Sequence, residues 1–394
     1  MNVPKLRFKE FTDEWTFTTL KDVAIKVNRI EANNSPIMMI SAEKGFILQS
    51  QKYSKDMTGD SLKKYITLYK NELAYNHGAS KLRPYGSVFM LLEDKARIPF
   101  VYHCFKIING YNKFYSYYLN RYSFGKLLKP LISSTARMDG LLNISFDNYF
   151  SIKFKIPQLK EQEKIANLLT TVDKKITNLE NIITSLENQK KGLLQQIFSQ
   201  KLRFKDKNGN NYPNWEKKKL GELIIIKTGI SPTYILDENG SIPYFKVEQL
   251  NNSNKYQINT PYKTKNNKKL IPPKSIIFPK RGISILSNKI RILSQYSLID
   301  TNIMALIIKN DSISNEFLYY FLLNEDLSKI ADTTSIPQIN NKHIEPYVIY
   351  LPCLEEQTKI ADFLSAFDRK LDNQKAQLKH WKQIKKGLLQ QMFV

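Results

Sequence analysis

Pro157-Gln158-Leu159-Lys160-Glu161-Gln162-Glu163-Lys164-Ile165-Ala166 returns 195 residues later as Pro352-Cys353-Leu354-Glu355-Glu356-Gln357-Thr358-Lys359-Ile360-Ala361. Further on, Lys190-Lys191-Gly192-Leu193-Leu194-Gln195-Gln196 returns unchanged as Lys385-Lys386-Gly387-Leu388-Leu389-Gln390-Gln391. Across 156–198 and 351–393 there are 19 identities in 43 positions, without a gap. A second echo opens each half: Lys5-Leu6-Arg7-Phe8-Lys9 and Lys201-Leu202-Arg203-Phe204-Lys205, each followed by a tryptophan, Trp15 or Trp215. Internal repetition of this kind governs architecture. Between the matched pieces lie two blocks, roughly 20–155 and 220–350, that do not align with each other. Drift alone erodes all parts alike; divergence confined to two blocks points to two different tasks on a shared frame.

The repeated segment has the pattern of a long helix. Positions 165, 172, 179, 186 and 193 are Ile, Val, Leu, Leu and Leu, flanked by Leu168, Leu169, Ile176, Ile182 and Ile183, an apolar stripe on one face. The second copy shows Ile360, Phe367, Gln374, Trp381 and Leu388, with Phe363, Leu364, Leu371, Leu378 and Ile384 beside them. Pro157 and Pro352 stand where a missing N–H costs a helix nothing, and Glu161, Glu163, Glu355 and Glu356 suit the positive end of its dipole. A helix of about 36–40 residues spans roughly 55–60 Å. Such a striped helix needs a partner, either the other copy or a helix from another chain. Gly192 and Gly387, inside the pattern, read either as a close crossing or kink, or as tolerated helix-end glycines.

Of the net charge of +24, the segment 1–155 carries +11 and 201–350 carries +9, so the two long helices are nearly balanced. Balanced helices suit protein packing; basic globular blocks suit phosphate contact and counterion release. With 42% apolar residues the chain can build a packed core. No apolar run reaches bilayer-spanning length and no signal stretch opens the chain, which leads to the expectation of a soluble, cytoplasmic protein without a membrane partner. Cys104 and Cys353 match no metal spacing, and His77, His103, His343 and His380 form no cluster, so a metal is not expected. Val88–Leu92, Ser275–Phe278 and Ile303–Ile308 predict strands. Asn239-Gly240 predicts a turn. Asn315–Leu323 and Ser123–Lys129 predict short helices, Gly125 counting against the second. A small α/β module is expected in each block.

The common catalytic motifs do not occur in the sequence. There is no G-x-x-x-x-G-K-[ST] for a P-loop motor and no G-x-S-x-G. The adenine-methyltransferase signature [ND]-P-P-[YFW] is missing, since the one Pro-Pro lies in Ile271-Pro272-Pro273-Lys274. Glu216-Lys217-Lys218 supplies half of a nuclease pattern whose Pro-Asp half does not occur.

Taken together, the layout resembles the specificity subunit of type I restriction-modification systems. The resemblance rests on P-x-L-x-E-Q-x-K-I-A and K-K-G-L-L-Q-Q in both copies, on the K-L-R-F openings with their tryptophans, on Asn76–Gly86 and on Ser335-Ile336-Pro337-Gln338-Ile339-Asn340. The first block departs from the last of these, with Ala136-Arg137-Met138-Asp139. It implies a mixed α/β (α+β) fold: two small target-recognition domains, 1–155 and 200–350, separated by a long antiparallel two-helix coiled coil formed by the constant helices 156–199 and 351–394, in a pseudo-two-fold repeat. It implies a non-catalytic subunit in which each domain reads one half of a split, asymmetric site on double-stranded DNA and the coiled coil sets the spacing. It also implies two modification (adenine methyltransferase) subunits docked on the helices and two restriction (motor-nuclease) subunits. S-adenosylmethionine and ATP are then expected on those partners alone. A basic DNA-binding scaffold or a cryptic nuclease is the alternative.

Guanine is read by Arg or Lys and adenine by Asn or Gln. On that basis the candidate DNA contacts in the first block are Lys81, Arg83 and Tyr85, in a Gly- and Pro-bounded loop, with Ser133, Ser134, Thr135 and Arg137. In the second they are Lys280, Arg281 and Ser284 beside Gly282, then Asn288, Lys289 and Arg291, and Thr333, Thr334, Ser335 and Gln338.

Overall fold

A computed structural model describes residues 3–31, 34–53, 59–132, 142–233, 235–265, 268–332 and 336–394. The repeated segments are the helices Leu159–Phe198 and Leu354–Gln391. The chain divides into two compact units, unit 1 comprising 1–180 with 377–394 and unit 2 comprising 181–376, so each long helix contributes to both.

Within each unit the two long helices run antiparallel, as their cross-pairs show. In unit 1 Asp173 meets Lys385 at 2.6 Å and Glu180 meets Lys382 at 2.7 Å. In unit 2 Glu187 meets Lys375 at 2.7 Å and Lys190 meets Asp368. In the central helix the seven-residue stripe is buried at Ile165, Val172, Leu179 and Leu186, then shifts to Leu194 and Ile197, as a 3.6-residue turn drifts against a seven-residue repeat. The C-terminal helix departs from the expected stripe. Its buried apolar residues include Ile360, Leu364 and Leu371, while Phe367, Gln374, Trp381 and Leu388 are half-buried. A Cβ on Gly192 or Gly387 meets nothing within 4 Å among the described residues, so neither marks a close crossing inside the chain.

The two blocks that do not align in sequence build the same sheet. Unit 1 orders its strands Ala24–Lys26, His103–Ile107, Leu73–Asn76, Ser87–Met90. Unit 2 orders Ile224–Thr228, Ile303–Ile308, Ile276–Pro279, Arg291–Leu293, and adds Tyr256–Gln257 in parallel at the edge. The registers correspond: Ala24 faces Ile107 and Leu73 faces Phe105, as Ile224 faces Ile308 and Ile276 faces Leu306. The central strands are rich in β-branched, aromatic and other apolar residues, which suits a pleated, buried surface. A further strand follows each tryptophan and pairs with the strand that leads into each long helix, Thr16–Thr19 with Lys153–Ile156 and Glu216–Lys219 with Val348–Leu351. Helices Asn112–Tyr118 and Tyr122–Leu128 cover unit 1, and Asn315–Glu325 serves unit 2.

The unit 1 core is largely aromatic, with Trp15, Phe105, Phe114, Phe124, Tyr149 and Phe154 in one cluster. Unit 2 relies on aliphatic strands packed against Phe317, Tyr320 and Phe321. Among the described residues no helix is long and apolar enough to cross a membrane, and no group of three or more His, Cys, Asp or Glu is placed to hold a metal ion.

Candidate DNA interface

The constant residues anchor each block to the start of its helix. Glu161 is buried and accepts from Arg7 Nε at 2.8 Å, Arg7 Nη2 at 2.7 Å and Trp15 Nε1 at 3.4 Å. In unit 2 Glu356, equally buried, accepts from Arg203 Nε at 2.7 Å, Arg203 Nη2 at 2.8 Å and Trp215 Nε1 at 2.9 Å. The hydrogen bonds to Glu161 raise the pKa of Arg7 further above its usual value, the carboxylate's charge adding to them while burial opposes. Fork geometry explains why both copies keep Arg rather than Lys.

The adjoining glutamines are buried too. Gln162 Nε2 donates to Pro157 O at 2.9 Å while its Oε1 accepts from Tyr111 N at 3.0 Å, just ahead of helix Asn112–Tyr118. Gln357 Nε2 donates to Pro352 O at 2.8 Å and its Oε1 accepts from Ser314 N at 2.8 Å, just ahead of helix Asn315–Glu325. A tyrosine from each block then closes on the helix pair. Tyr117 donates to Asp173 at 2.7 Å beside Lys385, and Tyr320 donates to Asp368 at 2.6 Å beside Lys190. These contacts account for the glutamate and glutamine of the opening motif and the first lysine of the closing one.

On that frame the central strands carry equivalent hairpin loops, 77–86 in unit 1 and 280–290 in unit 2. The first joins Leu73–Asn76 to Ser87–Met90. Tyr75 Oη donates to Tyr85 O at 2.9 Å, and Arg83 Nη1 donates to Asn120 O at 2.5 Å. Gly86 has φ +79°, and a Cβ there would stand 2.5 Å from Asn76 O, so the turn needs glycine. Tyr85 lies against helix Tyr122–Leu128, where a Cβ on Gly125 would meet its ring at 2.6 Å. Gly125 therefore belongs inside a helix, for a packing reason. Arg83 and Tyr85 are engaged in holding the loop, whereas Lys81 and Leu82 are exposed.

Beneath this loop sits a ring stack. Tyr75 and Tyr149 are parallel at 4.3 Å between centroids, and His77 meets His103 edge-on at 4.0 Å. Burial, and then the neighbouring imidazole, pushes His77 down to about 3, and burial pushes His103 down to about 4.

Loop 280–290 is braced by the segment before the C-terminal helix. Gly282 N donates to Pro337 O at 2.9 Å, Ile339 N donates to Lys280 O at 2.8 Å, and Arg281 is bridged antiparallel to Gln338. Lys280, Arg281 and Gln338 are thus brought together, with Ser284 and Lys289 on the same loop. Burial, with Arg281 adding to it, lowers the Lys280 ammonium below its usual range. Asn288 and Arg291 are used internally. Asn288, at φ 42°, donates to Leu323 O at 3.2 Å and accepts from Leu327 N at 3.3 Å, while Arg291 Nη1 donates to Ile290 O at 2.6 Å. Ser133, Ser134, Thr135 and Arg137, and Thr333, Thr334 and Ser335, lie outside the described residues.

A cavity of about 790 Å³ opens in unit 1, lined by Lys113, Tyr117, Arg121, Lys386, Leu389 and Phe393 among others. Burial, offset in part by Asp173, holds the Lys113 ammonium below the usual lysine range. At the corresponding place in unit 2 the chain's own Lys255 reaches Tyr320 Oη at 3.1 Å and Ser365 Oγ at 2.9 Å.

Comparison with known proteins agrees with this arrangement. Residues 12–188 and 212–380 each match the type I restriction modification DNA specificity domain. The type I restriction enzyme MjaVIII specificity subunit of Methanocaldococcus jannaschii is 25% identical over 283 residues, which is 67% of this chain and 66% of that one. The MjaIX specificity subunit of the same organism is 26% identical over 345 residues, 82% of this chain and 73% of its own. The solved type I restriction-modification S subunit from M. genitalium shares the fold, with a TM-score of 0.62 at 18% identity over 100% of this chain and 99% of that one. The chain belongs to the family of type I restriction-modification DNA-specificity subunits, the recognition component and not the enzyme of such systems.

Proposed function

We propose that the two units are independent readers, each recognising one half of a split, asymmetric sequence on double-stranded DNA. The observation that carries this reading is the pair of equivalent hairpin loops on equivalent sheets. The scaffold is the same in both units, while loops 77–86 and 280–290 differ in sequence and length. Target-recognition domain 1 corresponds to 1–155 and domain 2 to 200–350, joined to the constant helices 156–199 and 351–394. Lys81 in the first loop, and Lys280, Arg281, Ser284, Lys289 and Gln338 around the second, are the contacts favoured by their positions. Arg83, Tyr85, Asn288 and Arg291 act on DNA through the shape of the loops they hold. The net charges of +11 and +9 in the two blocks supply phosphate attraction without sequence preference.

The helix pair serves as ruler and dock. Two modification subunits bind it, and two restriction subunits complete the assembly, supplying the sites for S-adenosylmethionine and ATP. The cavity of unit 1, lined by lysines and arginines together with Leu92, Leu389 and Phe393, supports a docking role for this part of the chain. The test is adenine-methylation mapping in a host that expresses this chain with the modification subunit of its own system. A split motif, methylated in both halves, is expected. A continuous motif, or methylation without sequence preference, would leave the scaffold reading in its place.

A further inference from the structure

Loop 280–290 exposes apolar side chains where a purely phosphate-binding loop would not. Ile283 is 79% exposed, the highest value of any large apolar side chain among the described residues, and Leu286 is 61% exposed. Both the bridge between Arg281 and Gln338 and the bond from Gly282 N to Pro337 O run in one antiparallel register. Past that bridge the chain turns at Gly282, Ile283 opens the short 3-10 helix Ile283–Ser287, and Ile336, next to Pro337, is 49% exposed. The loop itself is cationic: 280–293 holds Lys280, Arg281, Lys289 and Arg291 and no carboxylate, and the nearby Asp332, bridged to Gln338, has the Lys342 ammonium at 3.6 Å. Isoleucine is stiff at χ1, so it loses little rotamer entropy on contact. The surroundings favour an anionic partner that also displays an apolar group. The major groove of DNA does so at thymine, whose C5-methyl group lies beside the N6 and N7 edge of the paired adenine. Gln338, bridged to Arg281 and donating through Nε2 to Asn340 Oδ1 at 3.1 Å, is the residue type that reads that adenine edge.

We propose that Ile283 reads the C5-methyl group of a thymine in the half-site bound by unit 2. This rests on the reading of unit 2 as a DNA-recognition domain and adds the chemical group that its loop selects. In unit 1 the equivalent loop places the exposed Leu82 between Lys81 and Arg83, a single apolar residue in a similar cationic setting.

The test uses the complex of this chain with the modification subunit of its own system and duplexes carrying its mapped site. Thymines of the unit 2 half-site, on either strand, are replaced one at a time by deoxyuridine, which lacks the methyl group, and affinity is read by fluorescence anisotropy. One replacement is expected to weaken binding about fourfold, the worth of one buried methyl. Ile283→Ala should weaken binding to the thymine duplex by at least as much and be indifferent to the same replacement. Its thermal stability should match the parent, because the side chain is exposed. Replacements in the other half-site should act alike on both proteins. Indifference of the parent complex at every position overturns the proposal, as does an Ile283→Ala complex that keeps the full deoxyuridine effect. An Ile283→Ala chain that instead loses its modification subunit on size-exclusion chromatography overturns it in favour of a protein-binding patch. A parent complex that does not distinguish the mapped site from a scrambled duplex refutes the recognition reading itself, a result distinct from the others.

Discussion

Removing Arg7 should strand a buried charge and loosen one half of the protein only. Glu161 is fully buried and Arg7 is 12% exposed, with two charge-assisted bonds between them. In Arg7→Ala the carboxylate keeps, among the described residues, Trp15 Nε1 at 3.4 Å. Breaking a buried pair by deleting one partner costs about 3–5 kcal/mol. Water entering beside the missing side chain places this case at the lower end, about 3 kcal/mol, or roughly a hundredfold in the local opening equilibrium. A single unfolding midpoint is ill-suited to a chain of two units. Hydrogen exchange followed by mass spectrometry reads each unit separately. Amides of Thr16–Thr19 and Lys153–Ile156 should exchange roughly a hundredfold faster, with Glu216–Lys219 and Val348–Leu351 unchanged. Arg203→Ala should give the mirror result. Adding Glu161→Gln to Arg7→Ala should recover part of the loss, since no charge is then left buried. A cost under about 1 kcal/mol, or equal acceleration in both units, would refute the anchor.

Three further outcomes are expected. His77 and His103, held at about 3 and about 4 against an ordinary value near 6.5, stay neutral in the folded unit while the unfolded chain takes up protons below pH 6.5. Unit 1 should therefore lose up to about 1.4 kcal/mol per pH unit for each histidine as pH falls from 6.5 towards 4, an effect that pH-dependent exchange should show in unit 1 and that His77→Phe should reduce. Gly125→Ala improves helix propensity by about 1 kcal/mol but drives a Cβ into the Tyr85 ring, so it should weaken recognition of the unit 1 half-site in methylation mapping and leave the other half intact. Inserting seven residues into each long helix, between Glu180 and Asn181 and between Ala376 and Gln377, lengthens the ruler by about 10 Å and should widen the gap in the methylated motif by about three base pairs; an unchanged gap would remove the ruler from the account.

Elements whose pattern is local were legible in the sequence. The two long helices, the strands around Val88, Ile276 and Ile303, and the helix beginning at Asn315 follow from periodicity and caps. What escaped depends on partners far apart in the chain. Arg7 and Glu161 are 154 positions apart, as Arg203 and Glu356 are 153, so the repeated motifs could be seen but not connected. Helix Asn112–Tyr118, without an N-cap side chain and followed closely by a second short helix, left little periodic signal. The equivalence of loops 77–86 and 280–290 was hidden because a strand needs only alternation and bulk, which many sequences satisfy; only register shows it. Among the candidate contacts, side-chain type alone could not separate Lys81 and Arg281, which face solvent, from Arg83 and Asn288, which hold backbone carbonyls.

The most direct measurement is adenine-methylation mapping before and after residues 200–350 are exchanged for the corresponding block of another family member, with the modification subunit held constant. Two independent readers predict that one half of the motif changes while the other half and the gap between them stay as they were. A change in both halves together, or no change in either, would contradict the modular reading.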